Sequence, residues 1–255
     1  SSGNTTTAVG YEALKALTTG NSNTAFGYQS QTANVDGEAN VSFGRATLGT
    51  NVSGNHNTAI GHQALETFNN NVDAYNTAVG MNNLQAITTG IYNSSVGALT
   101  LDAASFGESF NTAIGFAAMT SVNEGSIGQA DHNVAVGYNA LEGGHYAGTP
   151  NTLVGNIAIG ALALDGTGAN SQTGTIAIGY EALTALTDGT GNVAIGFQAM
   201  AAEDTGDYST AVGYQALQNQ NYDGDAGNTM LGYRTGNSLT DGIRNVFIGR
   251  SAGSA

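Results

Sequence analysis

The sequence repeats itself along nearly its whole length, and this repetition limits the folds open to the chain more than any other feature. The unit reads Asn-Thr-Ala-(Val/Ile/Phe)-Gly-Tyr-x-Ala-Leu, followed by a polar linker that contains glycine. Fourteen copies align on one glycine, with spacings of 17 to 19 residues and two longer steps of 22 and 23. These glycines are Gly10, Gly27, Gly44, Gly61, Gly80, Gly97, Gly115, Gly137, Gly160, Gly179, Gly196, Gly213, Gly232 and Gly249. We predict a single continuous repeat domain over residues 1–255, with longer loops within 116–156.

Each column of the alignment keeps one chemical character. The residue before the glycine is apolar in all fourteen copies, and the residue two before it is small in twelve, the exceptions being Met230 and Phe247. The position three before the glycine is Thr in seven copies and Val or Ile in six. Because alternate residues of a strand share a face, the first and third of these columns point the same way, and β-branched side chains favour a strand. We predict that the Val/Ile column, with residues such as Ile60 and Ile195, builds the core.

The other columns predict how a coil closes. Asparagine stands four residues before the glycine in eleven copies. The asparagine and alanine columns share the opposite face of the strand, where alanine would let another layer or chain approach closely. The glycine marks a bend or a place where no side chain fits. A second short extended segment and a polar turn, such as Thr19-Gly20-Asn21, would complete the coil. Stacking about fourteen such coils gives an all-β parallel β-solenoid, with the asparagines as an internal amide ladder.

A strand-plus-helix repeat of the leucine-rich kind is the rival architecture, since residues 11–17 would suit a short helix. Two features count against it. The common spacing of 17 is shorter than the roughly 20 residues that such units need. The seventh position after the glycine is apolar at Leu17 and Phe68 but polar at Asn34 and Glu203, and a core helix would not lose its inner face so often.

Composition excludes several functional classes. Five Lys and Arg against 19 Asp and Glu give a net charge of −14, which disfavours nucleic acid and anionic membrane surfaces as partners. The chain has no Cys, so it has neither disulfides nor thiolate sites, while 40% hydrophobic residues argue for a packed chain. No apolar run approaches the ~18 residues of a membrane helix. The start, Ser1-Ser2-Gly3-Asn4, is not a signal peptide, so we expect either a mature fragment of a secreted chain or one that never used that route.

Motifs such as Asn57-Thr58-Ala59-Ile60-Gly61 and Asn192-Val193-Ala194-Ile195-Gly196 resemble the repeats of trimeric autotransporter adhesin heads and of related phage tail-fibre segments. The resemblance covers nearly all of the chain. It implies a left-handed parallel β-roll and three chains side by side, with apolar cores inside each roll and small residues between them. The coil here is longer than in the usual adhesin head, and no heptad stalk, neck or C-terminal barrel is visible, which favours a phage fibre or a secreted filament.

Enzyme signals are weak, and we predict no catalytic, cofactor-binding or metal-binding residues. His56, His62, His132 and His145 lack metal-type spacing, and neither a G-x-S-x-G elbow nor a phosphate loop occurs. The densest acidic pairs lie in glycine-rich turns: Glu203-Asp204 with Asp207, and Asp223 with Asp225. Solvated turns are their simplest interpretation, with weaker alternatives of a Ca²⁺ site or a polysaccharide-cleaving carboxylate pair like that of phage tailspikes.

The irregular steps are the first candidates for binding. They contain residues 121–132 and 142–150, and insertions in a solenoid become loops on one face. Tolerated insertions remain the simpler interpretation. Lys and Arg occur only at Lys15, Arg45, Arg234, Arg244 and Arg250, so the surface between Arg45 and Arg234 is wholly acidic.

We therefore expect a non-enzymatic fibre module that is extracellular, at the cell surface or in a virion. It would be a rigid trimeric β-solenoid for surface attachment or spacing, with itself and a host-surface glycan or receptor as partners, no nucleic acid and no membrane insertion. Two alternatives are a head-to-tail self-assembling filament subunit and a tailspike-like polysaccharide depolymerase.

Overall fold

The computed structural model describes residues 5–123, 129–143, 152–168 and 170–254. Within these ranges the chain has no helix, and its strands pair in parallel from one repeat to the next. The predicted parallel β-solenoid is therefore confirmed, and the strand-plus-helix rival is wrong. Two compact units divide the chain, residues 1–126 and 127–255. One continuous domain over 1–255 stays a prediction.

In the first unit, seven repeats each supply one three-residue strand. The strands are β1 (Thr7–Val9), β2 (Thr24–Phe26), β3 (Val41–Phe43), β4 (Thr58–Ile60), β5 (Thr77–Val79), β6 (Ser94–Val96) and β7 (Thr112–Ile114). They pair in parallel in chain order, with equivalent residues in register, so that Ala59 of β4 lies opposite Ala78 of β5. The repeat of the sequence is thus the repeat of the ladder.

The second unit contains a sheet of the same kind and two smaller ones. Its strands are β8 (Val134–Val136), β9 (Leu153–Val154), β10 (Ile157–Ile159), β11 (Gln172–Thr173), β12 (Ile176–Ile178), β13 (Gly189–Thr190), β14 (Val193–Ile195), β15 (Gly206–Asp207), β16 (Thr210–Val212), β17 (Gly224–Asp225), β18 (Thr229–Leu231) and β19 (Val246–Ile248). The three-residue strands again form one parallel ladder in chain order. The two-residue strands β9, β11 and β13 form a second sheet, and β15 pairs with β17.

The core lies on the alanine side of the sheet. The central residue of every three-residue strand except β1 and β19 is fully buried, as Ala59 is in β4, whereas Ile60 beside it is 38% exposed. Opposite the alanines stand large apolar side chains from the fourth position after the glycine, such as Leu65 and Leu183, which are also fully buried. The prediction that the Val/Ile column builds the core is therefore wrong, for Ile60 and for the half-buried Ile195 alike.

The segment after each glycine is a turn, and the predicted second extended segment is wrong there. In this segment, two residues adopt the left-handed conformation that L-residues seldom take, as Gln63 (φ 56°) and Leu65 (φ 51°) do. Inter-coil hydrogen bonds fix both. The Gln63 N–H donates to the Arg45 carbonyl of the preceding coil, and the Leu65 N–H donates to the Asn83 carbonyl of the next. The left-handed conformation of both residues is thus held by backbone hydrogen bonds between coils.

The glycine and asparagine columns behave as predicted. A Cβ on Gly196, which has φ 137°, would lie 2.3 Å from the Gly213 carbonyl oxygen, so no side chain fits between the coils. The buried Asn57 illustrates the amide ladder. Its backbone N–H donates to Asn40 Oδ1 at 2.9 Å, and its own Oδ1 accepts from the Asn76 N–H at 3.2 Å. Buried turn carbonyls are satisfied by the same amides, as when Asn40 Nδ2 donates to the Gly54 carbonyl at 2.8 Å.

Candidate functional site: the outward face of the sheet

The outward face of the sheet is formed by the residues on either side of each strand's central alanine. We define it as the column one before the glycine and the column three before it. Neither column contains a charged residue in any of the fourteen repeats, although the chain carries a net charge of −14. The column beside the glycine is exposed or half-buried throughout, with Val9, Phe26, Phe43, Ile60, Val96, Ile114, Ile159, Leu231 and Ile248 the most exposed.

An apolar surface of this extent is unusual for a chain alone in water. Monomers rarely expose contiguous apolar patches beyond a few hundred Å². The face is also ordered, because the short parallel strands hold its side chains in register. The rings of Phe26 and Phe43, on neighbouring strands, stack with centroids 4.7 Å apart. The outward face is therefore a rigid, uncharged surface suited to another apolar surface.

A second column of exposed side chains follows the glycines. In the second unit Tyr180, Phe197, Tyr214 and Tyr233 form a continuous ring stack, with successive centroids 5.5, 5.0 and 5.4 Å apart. The first unit has the shorter stack Tyr11–Tyr28 at 5.5 Å, with the Arg45 guanidinium 5.9 Å from the Tyr28 ring centroid. We call the four-ring stack of the second unit the aromatic ladder.

A polar column runs beside the aromatic ladder. Gln198 Nε2 donates to Glu181 Oε2 at 2.7 Å, and Gln215 Nε2 donates to Gln198 Oε1 at 3.0 Å. Arg234 Nε then donates to Gln215 Oε1 at 2.8 Å. The column therefore begins at a carboxylate and ends at a guanidinium, with every amide oriented in the same direction.

The acidic residues singled out from the sequence do not form an open carboxylate pair. Glu203 is fully buried; its Oε1 accepts from the Gly206 N–H at 2.8 Å and its Oε2 from Gln220 Nε2 at 2.6 Å. Asp207 Oδ1 accepts from the Thr190 N–H at 2.6 Å. Glu203 is thus part of the interior and is not placed to contact a polysaccharide at the surface.

The other acidic turn uses its carboxylates in contacts between coils. Asp223 Oδ1 accepts from Thr205 Oγ1 at 2.7 Å, and Asp225 lies 3.9 Å from Arg244. Asp204 contacts the hydroxyl of Thr205. In the part of the chain that the structure describes, no three His, Asp or Glu side chains converge as a metal site. Bound Ca²⁺ stays the weaker, untested alternative for these turns.

Two half-buried aspartates, Asp102 in the first unit and Asp165 in the second, have pKa values displaced from the ordinary one. Burial raises the pKa of Asp165 above its ordinary value, although the Thr184 hydroxyl donates to its carboxylate at 2.5 Å and opposes the shift. Nearby Glu142 and Glu181 raise that pKa further. Burial likewise raises the pKa of Asp102, which accepts from the Thr120 hydroxyl at 2.6 Å. Each carboxylate thus accepts from a threonine hydroxyl of the next coil.

The remaining sequence candidates are scattered. His56 stacks on Tyr75 and lies 3.2 Å from Asp73, whereas His62 contacts Arg45 at 2.9 Å. Of the predicted binding loops, residues 124–128 and 144–151, including His145 and Pro150, lie outside the described residues. His132 lies just before β8. Sequence reasoning missed the outward face because it placed those columns inside; their complete lack of charge was the signal.

The chain was compared with protein-family models, with curated proteins and with solved structures, and none of them matches it. The described residues contain no helix that is long and apolar enough to cross a membrane. The chemistry of its surfaces is therefore the basis on which function is argued.

Proposed function

We propose that this chain is a non-enzymatic module of an extracellular, cell-surface or virion fibre, in which three copies associate through the outward face for surface attachment or spacing. The observation that supports this most strongly is that face: its two columns consist of Thr, Ser, Val, Ile, Leu and Phe, without a single charge across fourteen repeats. Its partner should match it in chemistry and in rise per strand. A second copy of the chain meets both conditions, because the same uncharged columns recur at the same spacing.

Charge supports this occupant. None of the 19 acidic residues lies in either column of the outward face, and together they give the rest of the surface a strongly negative character. Copies would therefore repel one another more strongly through their acidic surfaces than through the outward face. Three copies, rather than two, come from the resemblance to trimeric adhesin heads and tail fibres.

The mass in solution tests the proposal. Light scattering after size exclusion should give about three times the chain mass of 25.6 kDa. A single-chain mass would overturn it, and open-ended polymers would support the filament alternative instead. The same run in EDTA tests the Ca²⁺ prediction, since loss of the assembly would show that a metal holds it together.

A further inference from the structure

The aromatic ladder ends at two arginines in a chain that has only five basic residues. The guanidinium carbons of Arg234 and Arg250 each lie 5.5 Å from the centroid of the Tyr233 ring. The two are therefore no farther from each other than twice that distance. All three side chains are exposed.

The two guanidinium groups keep most of their donors available. Arg234 uses Nε for Gln215, while its terminal nitrogens and the whole Arg250 guanidinium make no further hydrogen bond within the described ranges. Neither has a carboxylate within 4.0 Å there, in contrast to Arg244, which lies 3.9 Å from Asp225. Two positive charges held near one ring, without a carboxylate beside either, favour the binding of an anion between them.

The surroundings indicate what kind of anion fits. A polyanion would be repelled by a chain of net charge −14. A ligand with a single carboxylate between neutral groups avoids most of this repulsion, because its one charge lies at the two arginines. Along the ladder, the edges of Tyr214 and Tyr233 and the amides of Gln198 and Gln215 offer neutral polar and apolar contacts at one set per coil. This combination suits a sugar chain with occasional acidic residues.

We propose that Arg234, Arg250 and Tyr233 form a binding site for the carboxylate of an acidic glycan, with the neighbouring neutral sugars lying along the aromatic ladder. The inference rests on the attachment role proposed above and gives it a ligand class. The carboxylate accepts from both guanidinium groups, and Tyr233 fixes the arginines by cation–π contact so that little side-chain freedom is lost on binding.

Isothermal titration of the whole chain tests this site with a defined probe. The probe is an oligosaccharide of neutral sugar residues that carries a single glucuronate, and its comparison is the same oligosaccharide with that carboxyl group reduced. We expect the acidic probe to bind and the reduced one to bind at least about tenfold more weakly, because charge-assisted hydrogen bonds are lost. Equal binding of the two, or no binding of the acidic probe, would overturn the proposal.

Matched variants separate the site from net charge. The double variant Arg234→Gln/Arg250→Gln should lose about tenfold or more in affinity, whereas Arg244→Gln removes a charge close by in the sequence and should change affinity by less than about twofold. Equal losses in both would contradict the site. A single-chain mass with intact binding would overturn only the trimeric fibre, and a trimer that ignores the acidic probe would overturn only this site.

Discussion

Asparagine four residues before the glycine makes hydrogen bonds in two directions. Asn192 is buried; its Oδ1 accepts from the Ser209 N–H of the next coil at 2.9 Å, and its Nδ2 donates to the Gly206 carbonyl at 2.5 Å. Thr175 replaces asparagine in this column, and its hydroxyl has no partner among the described residues. The amide is therefore the side chain whose length and two-sided chemistry suit the position.

Replacing Asn192 with alanine should lower the free energy of unfolding by about 1–3 kcal/mol for each group left unsatisfied, the Ser209 N–H and the Gly206 carbonyl. Urea denaturation followed by circular dichroism measures the change. Asn219→Ala is the matched control, because Asn219 is exposed and water replaces its bond to the Asn237 carbonyl. Similar losses in both variants would show that the ladder contributes nothing specific.

The sequence predicted some of these positions correctly because their chemistry has one solution. A glycine such as Gly196 and an amide such as Asn192 suit few environments, so their columns indicated their roles. Alanine is ambiguous, since it suits both a tight interior and a close chain contact, and Ala59 was assigned to the wrong face for that reason. The left-handed conformation of Leu65 carries no sequence signal, because leucine rarely adopts it.

At the scale of one coil, two positions fill the interior together, so that a large side chain at one requires a small residue at the other. In most coils a small central strand residue faces a large residue four after the glycine, as Ala59 does with Leu65. The order is reversed in the last two coils, where Met230 and Phe247 stand in the strand and the facing positions are Gly236 and Gly253. A Cβ on Gly236 would lie 2.9 Å from Met230 Sδ. The two exceptions in the alanine column are thus explained by their partners.

This complementarity predicts a rescue in the fourth coil. Ala59→Met alone should destabilise by about 1–3 kcal/mol through overpacking, and Leu65→Gly alone by about 2–5 kcal/mol through a cavity. The double variant should lose at least about 1 kcal/mol less stability than the sum of the two single losses, because methionine fills the space that leucine leaves. Denaturant unfolding of the four proteins measures the coupling, and strictly additive losses would contradict this shared filling of the interior.

At the scale of the whole molecule, the two columns of the outward face carry no charged residue, although the net charge of the chain is −14. The sequence predicted some features of the whole molecule and missed others. Periodicity identified the repeating coil and the parallel pairing of its strands. Which face of a three-residue strand is buried depends on how it packs against the turn, and the alternation of residues in the sequence is compatible with either face.

Asp165 predicts a pH dependence of stability. Its pKa is raised in the folded chain from an ordinary value of about 3.8, so the folded state holds the proton more tightly than the unfolded state. The free energy of unfolding should therefore fall as pH rises from about 3.8 through the raised value. Asp165→Asn should be more stable than the wild type at neutral pH and should lose part of this slope.

Asp188→Asn is the control for that experiment, because it removes one exposed carboxylate from the following coil. It should reproduce only the small effect of lower net charge. Thermal melts of the three proteins across the acidic range measure the difference. Identical slopes for all three would contradict the assignment of the shift to the burial of Asp165.

The most direct measurement of the central claim is the mass of a chain whose outward face has been made charged. Phe43→Asp, Ile60→Asp and Val79→Asp, combined, place three carboxylates on neighbouring strands while leaving the buried Ser42, Ala59 and Ala78 intact. We predict that light scattering gives a single-chain mass and that circular dichroism keeps the β signal of the wild type. Loss of that signal would show that these columns are core, and an unchanged assembly mass would place the interface elsewhere.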